Sequence, residues 1–135
     1  MLVVDSSVWI DHFNDMHNAA CAALRQALAA GDAELCVPDL VLFEVMRGIR
    51  FESERRRVSR TFGELTTIEL GGHENVMQAA DHYRQLRRLG RTVRSSIDML
   101  LASWCLTHDH VLLQRDRDFL PYAEHLGLRL WPLAH

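Results

Sequence analysis

Met1-Leu2-Val3-Val4-Asp5-Ser6-Ser7-Val8-Trp9-Ile10 decides how the rest of the chain is read. Leu2-Val3-Val4 is a short unbroken apolar run, the pattern of a strand buried on both faces, and it ends at a carboxylate. Ser6 or Ser7 is then the expected cap of a helix carrying Val8, Trp9, Ile10 and Phe13. The alternation continues. An Ala-rich helical stretch from about Asn18 to Ala30 stops at Gly31, Leu35-Cys36-Val37 reads as a second strand, and Pro38 opens a helix through Leu42, Val45 and Ile49. Glu52 to Phe62 is a charged helix, Thr67-Ile68-Glu69-Leu70 a third strand, and His73 to Leu89 a long helix ended by Gly90. Ser95 or Ser96 caps a helix to about His108, followed by strands at Val111-Leu112-Leu113 and Arg129-Leu130-Trp131. Strands alternating with helices predict an α/β fold, a three-layer α/β/α arrangement around a central, mostly parallel sheet of four to five strands. In such sheets, sites form outside the carboxyl ends of the strands.

The 135 residues, 48% hydrophobic and 24% charged, suit one ordinary globular domain spanning 1–135, with no internal repeat or linker. A chain of this length buries roughly 68% of its unfolded surface and needs no disulfide to support its core. Only Leu2, Val3 and Val4 lie between Met1 and the first charge, with no basic stretch before them and no apolar run of about 18 residues, so neither a signal peptide nor a membrane span is expected. Cys21, Cys36 and Cys105 lack C-x-x-C spacing and suit a reducing compartment, and the expected location is the cytoplasm. All 15 basic residues are arginine. Without lysine, P-loop hydrolysis, Schiff-base chemistry and pyridoxal-phosphate chemistry are excluded.

The chemistry lies in the acids. Asp5 and Asp116 follow strands, at the carboxyl edge of the sheet. Glu44 shares a helix face with Leu40, Val41 and Gly48, and Asp98 one with Leu101, Ala102 and Cys105, so both helical acids point inward. Each alone fits a cap, a turn or an amphipathic boundary; the joint placement at two strand ends and two inward faces is harder to meet by chance. Converging carboxylates repel by about 4 kcal/mol per close pair at ~4 Å and an effective dielectric of ~20. A divalent cation relieves that repulsion, and an all-oxygen set suits Mg²⁺ or Mn²⁺ better than zinc.

These residues resemble the PIN-domain ribonucleases, specifically the VapC toxins of bacterial toxin–antitoxin pairs. The likeness runs in order through Met1 to Ile10, Val37-Pro38 leading to Glu44 and Gly48, Thr92-Val93-Arg94-Ser95-Ser96-Ile97-Asp98, and Leu112-Leu113-Gln114-Arg115-Asp116-Arg117-Asp118-Phe119. The resemblance implies a PIN-like fold and a metal-dependent endoribonuclease. Asp5, Glu44, Asp98 and Asp116 would be its catalytic, metal-holding acids, with Ser7 in support. Asp118 fits the last acid as well as Asp116 does. It also implies Mg²⁺ or Mn²⁺ as cofactor, RNA as substrate, a cognate antitoxin as partner, and a homodimer.

A formal net charge of −3 hides a segregated distribution of sign. Arg84, Arg87, Arg88 and Arg91 recur at helical spacing opposite Val76, Ala79, Tyr83, Leu86 and Leu89, while Arg94 and Arg115 adjoin proposed acids. Guanidinium groups bind phosphates bidentately, so these six are the expected RNA contacts; a solvated helix face is the plainer account of the stripe. Two other readings stand beside the nuclease. An acid-pocket phosphatase would usually carry an Asp-x-Asp motif, but Ser7 occupies the position two after Asp5. A non-enzymatic interaction module would use its acids only to bind a partner's arginines.

Overall fold

The computed structural model describes residues 1–31 and 35–131; the expectation that one domain runs to His135 extends into 132–135, outside the described residues. Five strands, β1 (Leu2–Val4), β2 (Leu35–Pro38), β3 (Thr66–Ile68), β4 (Val111–Leu113) and β5 (Leu130–Trp131), form one sheet in the order β3-β2-β1-β4-β5. All four pairings are parallel. Val3, Val4, Cys36, Val37, Leu112 and Leu113 are fully buried, as residues covered on both faces of a sheet must be.

Helices α1 (Ser6–Phe13), α2 (Ala19–Ala29), α3 (Asp39–Arg47) and α4 (Glu52–Gly63) pack among themselves, and α5 (His73–Arg88), α6 (Ser96–Thr107) and α7 (Leu120–Leu126) form a second group. Right-handed crossovers explain this division. The chain moves from β1 to β2 to β3 in one direction, then crosses back beyond β1 to β4, which brings the later helices to the opposite face. The direction therefore reverses between β1 and β4. That gap is the topological switch point, where α/β sheets place their ligands.

Several boundaries differ from the sequence reading for identifiable reasons. Asp5, not Ser6 or Ser7, caps α1: its backbone is extended (φ −71°, ψ 155°) and its carboxylate accepts the Ser7 N–H. Pro38 closes β2 rather than lying in the first turn of α3, because its ψ of 144° is extended. Leu70 lies beyond β3, its N–H donating to Asp39 Oδ1 at 3.0 Å instead of to the sheet. Gly90 does end α5, at φ +75°, where a side chain would be strained. Arg91 therefore falls past the helix that was expected to carry it. The apolar face of α5 is also narrower than its spacing suggested: Ala79 and Leu86 are buried, but Val76 and Leu89 are exposed. The 3-10 turn Arg117–Phe119 and α7 had no clear sequence signal.

Among the described residues no helix is long and apolar enough to cross a membrane, and Cys21, Cys36 and Cys105 are buried free thiols. Trp9 is fully buried against Phe13 and Phe62, with ring centroids 5.9 and 4.8 Å away. Replacing it by alanine removes aromatic contact on both sides and leaves a cavity. Trp9→Ala is expected to lower stability by about 3–5 kcal/mol, measured as a fall in the urea midpoint at unchanged m-value.

Candidate active site

Each acid owes its place to local structure. Asp5 follows β1 directly and is anchored to the neighbouring strand, its N–H donating to Leu113 O at 2.9 Å. Its Oδ2 accepts Ser7 Oγ–H at 2.6 Å and Ser7 N–H at 3.3 Å, so Ser7 fixes the orientation of the carboxylate. Glu44 rises from the middle of α3, between buried Val41 and Val45. Asp98 stands in the first turn of α6, capped by Ser95, whose Oγ accepts the Asp98 N–H at 3.4 Å. Asp116 caps the 3-10 turn after β4 by accepting the Asp118 N–H at 3.0 Å.

These placements bring the acids together in two groups that share Asp98. Asp5, Glu44 and Asp98 each offer one ligand oxygen within 4.8 Å of the others, and so do Asp98, Asp116 and Asp118. Asp116 and Asp118, which were alternatives in the sequence, therefore stand side by side. Helices from opposite layers contribute: α3 supplies Glu44 and α6 supplies Asp98, with the strand ends between them. The set lies at the switch point.

The oxygens themselves show what the arrangement lacks. Among the described residues, Asp5 Oδ1 and Glu44 Oε1 are buried without a hydrogen-bond donor. Among the described residues, the partner of Glu44 Oε2 is Arg47, at 3.9 Å. Unpaired buried carboxylate oxygens are costly, and a second acid only adds repulsion. An oxygen-rich group of this kind fits a hard divalent cation, which would satisfy both orphaned oxygens at once. Neither group contains a histidine or cysteine, unlike a zinc site.

Burial, opposed by the Ser7 hydrogen bonds and reinforced by the charge on Glu44, pushes Asp5 up to about 6. Burial likewise pushes Asp98 up to about 8, with added repulsion from Asp5, Asp116, Glu44 and Asp118. Asp98 is the natural focus of that repulsion because it belongs to both groups.

The arginines are distributed differently from the acids. Arg94 is exposed just before the Ser95 cap of α6. Arg84, Arg87 and Arg88 lie along the last turns of α5, where Arg84 pairs with Asp81 at 3.8 Å and Arg87 donates to Tyr83 Oη at 3.1 Å. Arg91 pairs with Glu124 of α7 at 3.1 Å. Arg115 donates through Nε to Asp11 Oδ2. Sequence reasoning passed over Asp11 and Gln114, both buried beside the acid-bearing segment. The available signal was polarity inside an apolar stretch: Asp11 within Val8 to Phe13, and Gln114 directly after Val111-Leu112-Leu113. Nothing local marks the Asp11–Arg115 pairing, since the two lie 104 residues apart.

A carboxyl whose pKa is raised by folding holds its proton in the fold, so the metal-free protein loses stability as pH rises from about 4 to about 8 at Asp98. Asp98→Asn removes that dependence. At pH 8, without divalent ions, its melting temperature is expected to exceed that of the wild type by about 5 °C or more, the gain shrinking towards zero near pH 4. Calorimetry across that range measures it.

A family model described as the PIN domain matches residues 2–124. Ribonuclease VapC11 of Mycobacterium tuberculosis (strain ATCC 25618 / H37Rv) is 27% identical over 119 residues, covering 88% of this chain and 89% of its own. Among solved structures, a chain of VapBC2 from Rickettsia felis, bound to a DNA fragment from its promoter, superposes with a TM-score of 0.71 at 14% identity, covering 96% of both chains. A toxin-antitoxin complex from Klebsiella pneumoniae gives a TM-score of 0.70 at 16% identity, covering 95% of both chains. The two structures share the fold, and the family match extends from β1 into α7, across every acid of the site. The chain belongs to the PIN-domain family.

Proposed function

We propose that this chain is a VapC-type toxin, an endoribonuclease that hydrolyses RNA phosphodiester bonds with Mg²⁺ or Mn²⁺ and is neutralised by a cognate antitoxin. The observation that carries the reading is the convergence of Asp5, Glu44 and Asp98, in which Asp5 Oδ1 and Glu44 Oε1 are buried with no donor among the described residues. Its support from relatives is the likeness to a ribonuclease and to members of toxin-antitoxin complexes.

Asp5, Glu44 and Asp98 would hold one divalent ion, and Asp98 with Asp116 and Asp118 would hold a second if two are bound. A divalent ion held by these carboxylates would supply Lewis acidity towards the phosphodiester and activate water for its hydrolysis. Ser7 keeps Asp5 oriented through its 2.6 Å hydrogen bond. The acids repel a phosphodiester, so approach of RNA depends on cationic side chains around them. Arg94 is the best placed of these, with Arg84, Arg87 and Arg88 extending a basic surface along α5. Arg91 and Arg115 are tied to carboxylates of other elements, Glu124 and Asp11, whereas Arg84 has a 3.8 Å pairing with Asp81 on its own exposed helix face, so the contribution of Arg91 and Arg115 to RNA is smaller. One domain spanning the chain, a homodimer and a cytoplasmic location complete the proposal.

Asp5→Asn, Glu44→Gln and Asp98→Asn are each expected to lower the cleavage rate at least about 100-fold while the fold persists, followed with a fluorogenic RNA and by circular dichroism. Full wild-type activity in excess chelator would contradict the reading. Because neither acid group includes a histidine, cleavage is expected to leave 5′-phosphate and 3′-hydroxyl ends. Replacing the ribose 5′ of the cleaved bond by deoxyribose then slows the reaction by no more than about tenfold. Complete resistance, with 2′,3′-cyclic ends on ordinary RNA, would indicate a different catalytic centre. Expression alone is expected to arrest growth of the host, and co-expression with the adjacent open reading frame to relieve it.

A further inference from the structure

Asp116 and Asp118 follow β4 on a segment that leaves the sheet at Leu113 and enters the 3-10 turn at Arg117. Two carboxylates on such a segment, facing Asp98, repel it and one another; left to itself the segment would relax away from the site. It is held from two directions. From the core, Gln114 is only 2% exposed, donates its N–H to Trp131 O at 3.2 Å, and accepts the Asp116 N–H on its side-chain Oε1 at 2.6 Å. From α1, Asp11 is 8% exposed and accepts both Asn18 Nδ2–H, at 3.2 Å, and the Arg115 Nε–H.

Asp11 belongs to neither acid group. Its contact with the segment is through Arg115, the residue before Asp116. Asn18, the cap of α2, braces Asp11 in turn, so the first two helices together present a fixed anion to the segment. Gln114 acts on the next peptide unit, and Asp116 passes the constraint on by holding the Asp118 N–H. Each link is a hydrogen bond to the backbone or to a charged partner, the kind of support that orients an ion's ligands.

We propose that Gln114, and Asp11 acting through Arg115, are positioning residues that hold Asp116 and Asp118 within one ion's reach of Asp98. The proposal rests on the divalent-ion reading of the site. It gives Arg115 a role different from direct contact with RNA: its Nε is committed to Asp11, and disturbing the pair changes ion binding even when no RNA is present.

The test is Mn²⁺ binding to the RNA-free protein, followed by the electron paramagnetic resonance of free Mn²⁺. It compares wild type, Asp116→Asn as the benchmark, Asp11→Asn, Arg115→Gln, Gln114→Met and the Asp11→Asn/Arg115→Gln double variant, with thermal unfolding recorded for each. Asp116→Asn, the three single variants and the double variant are expected to weaken the same component of binding. The loss in each positioning variant is about tenfold, and the double variant is no weaker than its parents because the two residues act as one unit. Arg115 is half exposed, so Arg115→Gln carries the test if Asp11→Asn does not fold. Folded positioning variants that bind Mn²⁺ like the wild type, or an Asp116→Asn protein with unaltered binding, would overturn the proposal alone. A wild type that binds no Mn²⁺ would overturn the divalent-ion reading, and this proposal with it.

Discussion

Five carboxyl groups meet where the chain reverses direction between β1 and β4, and the structure around them counters their mutual repulsion. Each close pair opposes the fold by about 4 kcal/mol under the screening typical of a protein surface. No single element could supply such a group, because neighbouring positions on one helix or strand would splay the charges or expose them. Here two strand ends and two helices from opposite layers each contribute, and the sheet fixes their separation. Asp98, shared between both groups, has its pKa raised first by its burial and further by repulsion from the other four acids.

The supporting interactions divide by strength of placement. Asp5 is fixed by the sheet ladder and by Ser7, and Asp98 by its position in the first turn of a buried helix. Glu44 has the weakest protein partner of the first group, a long contact with Arg47, and one of its oxygens has none. Asp116 and Asp118 depend on side chains outside the sheet, namely Gln114 and the Asp11–Arg115 pair. The site therefore combines a stiff half, built on β1 and α6, with a half whose geometry depends on hydrogen bonds that single substitutions remove.

Much of this was accessible from sequence because burial and periodicity act locally. Leu2-Val3-Val4 and Val111-Leu112-Leu113 are unbroken apolar runs, and they form adjacent central strands. Asp98 on a stripe with Leu101, Ala102 and Cys105 identified an inward acid, and all four are buried. What could not be read depended on distant partners. Thr67 to Leu70 looked like a strand throughout, but Asp39, about thirty residues earlier, captures the Leu70 N–H and ends the ladder. Arg91 belonged to a helical stripe by spacing alone until Gly90 and Glu124 took it elsewhere. Asp116 and Asp118 could not be ranked from their neighbours, because the choice concerns their distance from Asp98. The Asp11–Arg115 pair joins the two ends of the chain and has no local signature.

The central claim is that the converged carboxylates form a divalent-ion site rather than a strained structural cluster. Anomalous diffraction from a crystal soaked in Mn²⁺ examines it directly, since it locates the ion without reference to activity. The account predicts a manganese peak enclosed by the carboxylates of Asp5, Glu44 and Asp98, absent from the Asp98→Asn protein. A well-ordered site without such a peak at saturating Mn²⁺, its carboxylates instead paired with protein side chains, would contradict it.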